Sequence, residues 1–358
     1  MSVKKFSVVL ALVLIASMLL TSCATPTPPV VEKVVTQVVT QEKQVIQTQV
    51  VEKTVQQTVQ VQVVATPTAL PKEKVLRVNL GTYPDIIDPQ KSSFVNEIGH
   101  LRMIYEGLTT LDKDLKTVPG AAEKWEYNAD ATQLTFHVRQ GLKYSDGSPL
   151  NAARFKYSLM RNINPATAGE YAQITDQIKG APEWRGFTAD AKKTKDENAK
   201  AEADLKAVVD KSIAVSHEDG TACADKDTYA DAACTKLVLT LSQPTPFVHT
   251  VMSLWVAYPA KEENITAGGE NWWNGSKYQV GNGPYMLKSL EPFVKGVFAP
   301  NPNWRGDKAK VNVEYDYIND SAVAFEAYKN NELDIIQLAS EDLATASADP
   351  TLSKEIKR

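Results

Sequence analysis

Between positions 121 and 159 the chain alternates and then changes period. Leu134, Phe136 and Val138 fall on one side of an extended run and Thr135, His137 and Arg139 on the other, the two-residue repeat of a strand. Asn128, Ala129 and Asp130 separate this run from Trp125 and Tyr127 and predict a hairpin. Ser145-Asp146-Gly147-Ser148-Pro149 then breaks the sheet pattern, because Gly tolerates positive φ and Asp bonds its own backbone. Beyond it Leu150, Arg154, Tyr157 and Arg161 recur at helical spacing, so the block predicts strand, strand, turn, helix. Upstream, residues 75–80 read as a strand and residues 97–105 as a helix. Downstream, residues 188–211 read as a solvated helix with an apolar stripe of Ala201, Leu205 and Val208. Asp196 with Lys200 and Glu202 with Lys206 form its i,i+4 pairs. Strands are expected at 212–215 and 237–241.

The N-terminus follows another logic. Two lysines lie within residues 1–5, and residues 6–20 form a mostly apolar run that ends at Leu20-Thr21-Ser22-Cys23. Fifteen residues are short for a bilayer span, which predicts a signal peptide over residues 1–22. The Leu-Thr-Ser-Cys ending resembles a lipoprotein cleavage box, with Cys23 as the lipidated first residue and the membrane as a partner through that lipid. Residues 23–73 read as a tether rich in Val, Gln, Thr, Glu and Lys and bracketed by prolines. Val31, Val38, Val45 and Val59 keep a seven-residue spacing, which permits a coiled-coil stalk. β-Branched valine disfavours an isolated helix, so a disordered or extended stalk stands beside it.

At 358 residues and 43% hydrophobic content, the chain can bury a substantial core. A net charge of −4 gives no case for nucleic acid, which calls for a clustered basic face. Export places Cys223 and Cys234 where they can form a disulfide closing a small loop, worth roughly 2–3 kcal/mol in the chain-entropy picture. A metal site is the weaker alternative, because only His217 lies near. His100, His137, His217 and His249 are scattered, without an i,i+4 ligand pair, a nucleophile elbow or a phosphate loop. No enzyme and no cofactor is expected. Asp85, Asp88 and Asp146 sit beside Pro or Gly, where turn formation is the usual role.

The words of the central block resemble a family, the extracytoplasmic solute-binding proteins of peptide-type ABC importers. They are Ala122-Glu123-Lys124-Trp125, Leu134-Thr135-Phe136-His137-Val138-Arg139, Gly141-Leu142-Lys143-Tyr144-Ser145-Asp146-Gly147 and Phe155-Lys156-Tyr157-Ser158. Arg154 departs from the family's usual Asp, which puts a helix-start contact in doubt. Asn164-Pro165-Ala166-Thr167-Ala168-Gly169-Glu170-Tyr171, Gly281-Asn282-Gly283-Pro284-Tyr285, Asn301-Pro302-Asn303-Trp304-Arg305-Gly306 and Asn331-Glu332-Leu333-Asp334-Ile335 come after it in the family's order.

The resemblance implies an α/β fold of the two-lobe periplasmic-binding-protein type II, family 5, with an accessory lobe. Residues 74–340 would hold the first lobe and the accessory lobe, and residues 341–358 the start of the second large lobe, incomplete at the C-terminus. It implies a lipid-anchored binding protein, outside the cytoplasmic membrane or in the periplasm, that hands a peptide or similar extended solute to ABC permease and ATPase subunits. Relatives that bind cello-oligosaccharides or nickel, and a sensing or stalk module without transport, are the alternatives. By the same resemblance Ser93, Phe94 and Val95 line the ligand cleft and Tyr171 contacts ligand. Asn282 can reach ligand from its open turn or serve the turn alone. A chain of this length, lacking half its cleft, is expected to bind no ligand tightly.

Overall fold

The computed structural model describes residues 74–224 and 227–357. The described residues all fall in one compact unit, Glu73–Arg358. The leader, Cys23 and the 23–73 tether lie outside them.

Ten strands form among the described residues: β1 (Val75–Asn79), β2 (Thr109–Leu111), β3 (Thr117–Pro119), β4 (Ala122–Tyr127), β5 (Gln133–Val138), β6 (Ile213–Ser216), β7 (Lys236–Thr240), β8 (Tyr285–Glu291), β9 (Lys295–Pro300) and β10 (Asn312–Asp316). They make one four-stranded sheet in the order β1-β10-β9-β8, a second in the order β4-β5-β7-β6, and a small β2-β3 ribbon. β1 runs parallel to β10, with Val75 opposite Asn312, while the pairs β10-β9 and β8-β9 are antiparallel. The Asp334 carboxylate secures β1 by accepting from the Arg77 backbone N–H at 2.8 Å and from its guanidinium at 2.8 and 3.0 Å.

The hairpin read from the sequence is β4 and β5, with Trp125 opposite Phe136 and Tyr127 opposite Leu134. Leu134 and Phe136 are fully buried and Val138 nearly so, which makes this face the floor of one core. Each such side chain contributes about 1.5–3 kcal/mol on leaving water. On the opposite face His137 is also buried, with its Nδ1 2.7 Å from a Glu218 carboxylate oxygen.

Three helices pack against these sheets: α1 (Val95–Ile104), α2 (Ala152–Ile163) and α3 (Lys195–Ser212). α2 starts where the Asn151 side chain accepts from the Ala153 N–H, and stops before Pro165, whose ring cannot continue a helix. Phe155, Leu159 and Ile163 enter the same core as β5. Asn151 supplies the cap, and Arg154 turns inward instead. Its guanidinium grips Glu263 at 2.5 and 2.8 Å and lies 3.7 Å over the Tyr229 ring. α3 differs in detail from its expected stripe. Val209 and Ser212 are its buried residues and Leu205 packs beside them, while Val208 is exposed. The ion pair along it joins Lys200 to Asp204 rather than Asp196 to Lys200. Four residues past Leu205 is Val209, so the packed face is turned by one position from the stripe read in the sequence.

A second core lies under the β1-β10-β9-β8 sheet, where Ile87, Leu101, Ile104, Trp272 and Phe298 meet. Gly281 and Gly283 close it. A Cβ on either would stand 2.2–2.6 Å from the Ile104 backbone, and the Gly283 N–H donates to the Ile104 carbonyl at 2.7 Å. Only glycine permits so close a crossing. Cys223 and Cys234 are joined by a disulfide. No helix among the described residues is long and apolar enough to cross a membrane.

Candidate functional site

The loop before α1 is held from beneath. The Glu97 carboxylate, buried in the first turn of the helix, accepts from the backbone N–H groups of Ser93 and Phe94 at 2.7 and 3.0 Å and from that of Ile86 at 3.3 Å. Negative charge at a helix N-terminus is favoured by its free N–H groups. The consequence is a helix that starts at Val95, two residues before its expected start, with Phe94 as its cap. Phe94 is 60% exposed and Val95 86%, so two apolar side chains stand in solvent on a fixed backbone.

Asp88 anchors the other end of this loop. It accepts both arms of the Arg161 guanidinium at 2.6 Å, the Trp272 indole N–H at 3.0 Å and the Gln90 backbone N–H at 3.0 Å. Gln90 accepts from Arg161 at 2.7 Å through its side-chain oxygen and donates to the carbonyls of Val256 and Tyr258 through its nitrogen. Burial pulls the Arg161 guanidinium down and the Asp88 hydrogen bonds and charge outweigh it, so its pKa is raised. The network pins four segments together: the loop at 88–92, helix α2, the turn at 255–258 and the segment at Trp272. Asp88 does shape the turn, as the sequence suggested, since its carbonyl accepts from the N–H groups of Lys91 and Ser92. The buried ion pair comes in addition.

Pinned this way, residues from far apart in the chain converge. The Trp255 indole N–H donates to the Ser92 carbonyl at 2.7 Å, and the Trp255 ring meets Tyr171 edge to face at 5.2 Å. Tyr171 arrives there because Gly169 presses on Gln90, where a Cβ would stand 2.0 Å from the Gln90 carbonyl oxygen. Trp255 thus ties Tyr171 to Ser92, the residue that precedes Ser93, Phe94 and Val95 in the chain. Two open clefts, of about 660 and 650 Å³, lie among the described residues, and the second borders this network through Lys91 and Arg161. His137 and Glu218 line one, and Tyr157, Arg161 and Tyr229 line the other.

Asn282 is placed differently. It is buried, its side-chain oxygen accepts from the Glu106 N–H at 3.1 Å, and its nitrogen donates to the Glu106 carbonyl at 3.0 Å. Of its two readings, latch or ligand contact, the hydrogen bonds present are those of the latch. Glu106 in turn pairs with Arg305. Burial raises the Glu106 carboxyl pKa, against the lowering by Arg305.

The four histidines serve separate contacts. His100 is buried between the Asn96 carbonyl and the Tyr317 hydroxyl, at 2.6 and 2.7 Å, and burial pushes it down to about 4. His137 meets Glu218, His217 meets Asp231 at 2.8 Å, and His249 meets the Tyr127 hydroxyl at 3.1 Å. Asp146 accepts from both Ser148 groups and from Lys261 at 2.5 Å. Trp255, Glu97 and the Asp88–Arg161 pair were not singled out by sequence reasoning. Arg161, at helical spacing from Arg154 and Tyr157, was the available signal, because an arginine side chain largely removed from water requires a carboxylate partner.

A model of the bacterial extracellular solute-binding proteins, family 5 Middle, matches residues 116–357. The periplasmic oligopeptide-binding protein OppA of Escherichia coli is 30% identical over 277 residues, which cover 76% of this chain and 44% of that protein. The probable deoxycholate-binding periplasmic protein YgiS of the same organism is 27% identical over 278 residues, 77% of this chain and 46% of that one. The solved structure of Haemophilus influenzae OppA in complex with the peptide RPPGFSPFR superposes with a TM-score of 0.61 at 26% identity, over 78% of this chain and 49% of the other. The chain thus spans less than half the length of the curated relatives it matches. Their family comprises binding proteins of transport systems rather than enzymes. With the family model matched over more than half of its length, this chain belongs to the bacterial extracellular solute-binding proteins of family 5.

Proposed function

We propose that this chain is the capture component of an ABC importer for peptides or similar extended solutes, delivering them to a membrane permease and its ATPase. The observation that carries the reading is the convergence of the Ser93–Val95 loop and Tyr171 through Trp255. Fixed backbone there presents exposed apolar and aromatic side chains, and Lys91 of the same loop lines the cleft of about 650 Å³. Such a surface suits a ligand read by its backbone and held loosely by its side chains. Ser93, Phe94, Val95 and Tyr171 are its proposed contacts, and Asn282 supports the site through its latch on Glu106. Closure of a facing lobe over the ligand would complete the burial, with ligand shifting the open-to-closed equilibrium by its differential affinity. Residues 74–340 are assigned to the first and accessory lobes and residues 341–358 to the start of the second, with Cys23 as the lipid anchor.

A relative named for deoxycholate favours a second reading, an apolar non-peptide solute on the same surface. Saturation-transfer NMR registers weak binding and separates the two. The chain is mixed in turn with tripeptides to pentapeptides, deoxycholate and cello-oligosaccharides, with Tyr171→Ala and Trp255→Ala as controls. Transfer to peptides that weakens in both variants supports the peptide assignment. Transfer to deoxycholate or sugar alone, or peptide transfer that neither variant changes, overturns it.

A further inference from the structure

We propose that Cys223, Cys234, His217 and Asp231 form a binding site for zinc, or a divalent ion of similar softness, whenever the Cys223–Cys234 disulfide is reduced. A Cys223 sulfur, a His217 ring nitrogen and an Asp231 carboxylate oxygen all lie within 4.8 Å of one another. Cys234 is bonded to Cys223, with their Cα atoms 5.2 Å apart. Two thiolates on one zinc stand about 3.8 Å from each other, given Zn–S bonds of about 2.3 Å in a tetrahedron. Cα atoms this close bring both sulfurs to one ion by side-chain rotation. Two sulfurs, one imidazole and one carboxylate make a four-coordinate donor set of the soft kind that zinc selects.

The scaffold around these groups is already in place. Asp231 accepts from the Ala224 N–H through one oxygen, at 2.9 Å, and from the Ala233 N–H through the other, at 3.1 Å. Both contacts hold the carboxylate toward the cysteines. His217 stands on a tight turn closed by hydrogen bonds with Thr221 and Gly220, and it lines the open cleft of about 660 Å³, which gives an ion a path from solvent. His137, across that cleft, directs its two nitrogens to two different carboxylates, Glu218 and Glu126, and offers no such convergence. The candidate ligand surface at Ser93 and Tyr171 uses none of these residues.

Disulfide and metal exclude each other, because the anionic thiolates that bind the ion exist only after two electrons have cleaved the S–S bond. A dithiol or phosphine reductant gives two electrons to the disulfide, and two protons complete the thiols. Metal binding then releases those two protons. In reverse, a small disulfide oxidant takes two electrons from the thiolates and leaves as two thiols with two protons from water, while the S–S bond re-forms and the ion departs. The loop is therefore closed in either state, by a covalent bond or by a metal.

Cobalt(II) reports this directly, since thiolate ligation gives a charge-transfer absorption and tetrahedral geometry gives visible bands. The full chain, reduced and freed of reductant without air, is titrated with cobalt(II) and compared with its oxidised form. The expected result is one ion per reduced chain with the thiolate band and no binding by the oxidised chain. His217→Ala should weaken binding at least tenfold, and a small disulfide oxidant should release one ion per disulfide formed. A reduced chain without the thiolate band, or a His217→Ala variant that binds within twofold of the parent, overturns the proposal. Far-UV circular dichroism establishes that the variant folds, so that weakened binding reports the lost ligand.

Discussion

The inner face of β5 and the tip of α1 carry the same kind of side chain and put it to opposite uses. Leu134 and Phe136 are sealed between sheet and helix, whereas Phe94 and Val95 stand in water on a backbone fixed by Glu97. Burial stabilises a fold, and exposure on a rigid support leaves apolar surface for something else to cover. The first face holds the words by which the family is recognised. The second holds the candidate contacts, and its two neighbours in sequence say little about it.

The sharpest way to break this comparison is truncation on each side. Phe136→Ala should cost about 3–5 kcal/mol, as a cavity in a closed core does, read as a lowered urea midpoint with unchanged slope. Asp88→Ala should cost a similar amount, about 3–5 kcal/mol, because it leaves Arg161 buried without its partner. An Asp88→Ala, Arg161→Met double variant should recover part of that loss, since the orphaned charge is then gone. If Asp88→Ala proves neutral, the claim that this pair holds the candidate surface fails.

A smaller effect comes from pH. His100 is neutral when folded, with its value pushed from 6.5 down to about 4 by burial, so unfolding takes up a proton between those values. Stability is full above about 6.5 and is lost as pH falls toward about 4, by on the order of 3 kcal/mol. Urea midpoints of wild type and His100→Phe across that window test it, and the variant should lack this part of the slope. Asn282→Ala should cost about 1–3 kcal/mol through the unsatisfied Glu106 backbone. A cost near zero, with lost ligand transfer, would return Asn282 to the contacts. Smallest of all, Phe94→Ala should change stability by no more than about 0.5 kcal/mol while reducing ligand transfer. A cost comparable with that of Phe136→Ala would erase the difference between the two regions.

The hairpin and α2 were legible because each rests on a local rule: alternation for the strands and a helical period after a Gly-Pro turn for the helix. The α3 stripe missed by one position because a mostly polar helix carries too few apolar residues to fix its rotation. Trp255 and Glu97 were missed for other reasons. Trp255 works by a hydrogen bond to Ser92 across 163 positions, a proximity only the fold decides, whereas Glu97 bonds to Phe94 and Ser93 three and four residues away and reads as a cap only once the helix start at Val95 is known. Arg161 sits between these cases. Its helical spacing was visible, and its partner was read as a turn residue alone.

The parallel pairing of β1 with β10 has a consequence in time. Val75 leaves the ribosome 237 positions ahead of Asn312 opposite it, which at about 5–20 residues per second is a wait of roughly 10–50 s. Throughout that interval the strand has no neighbour of its own. Arg77, at its centre, is the kind of charge that keeps a bare strand from pairing with another chain. Asp334, made later still, turns the same charge into the bond that holds β1 in place.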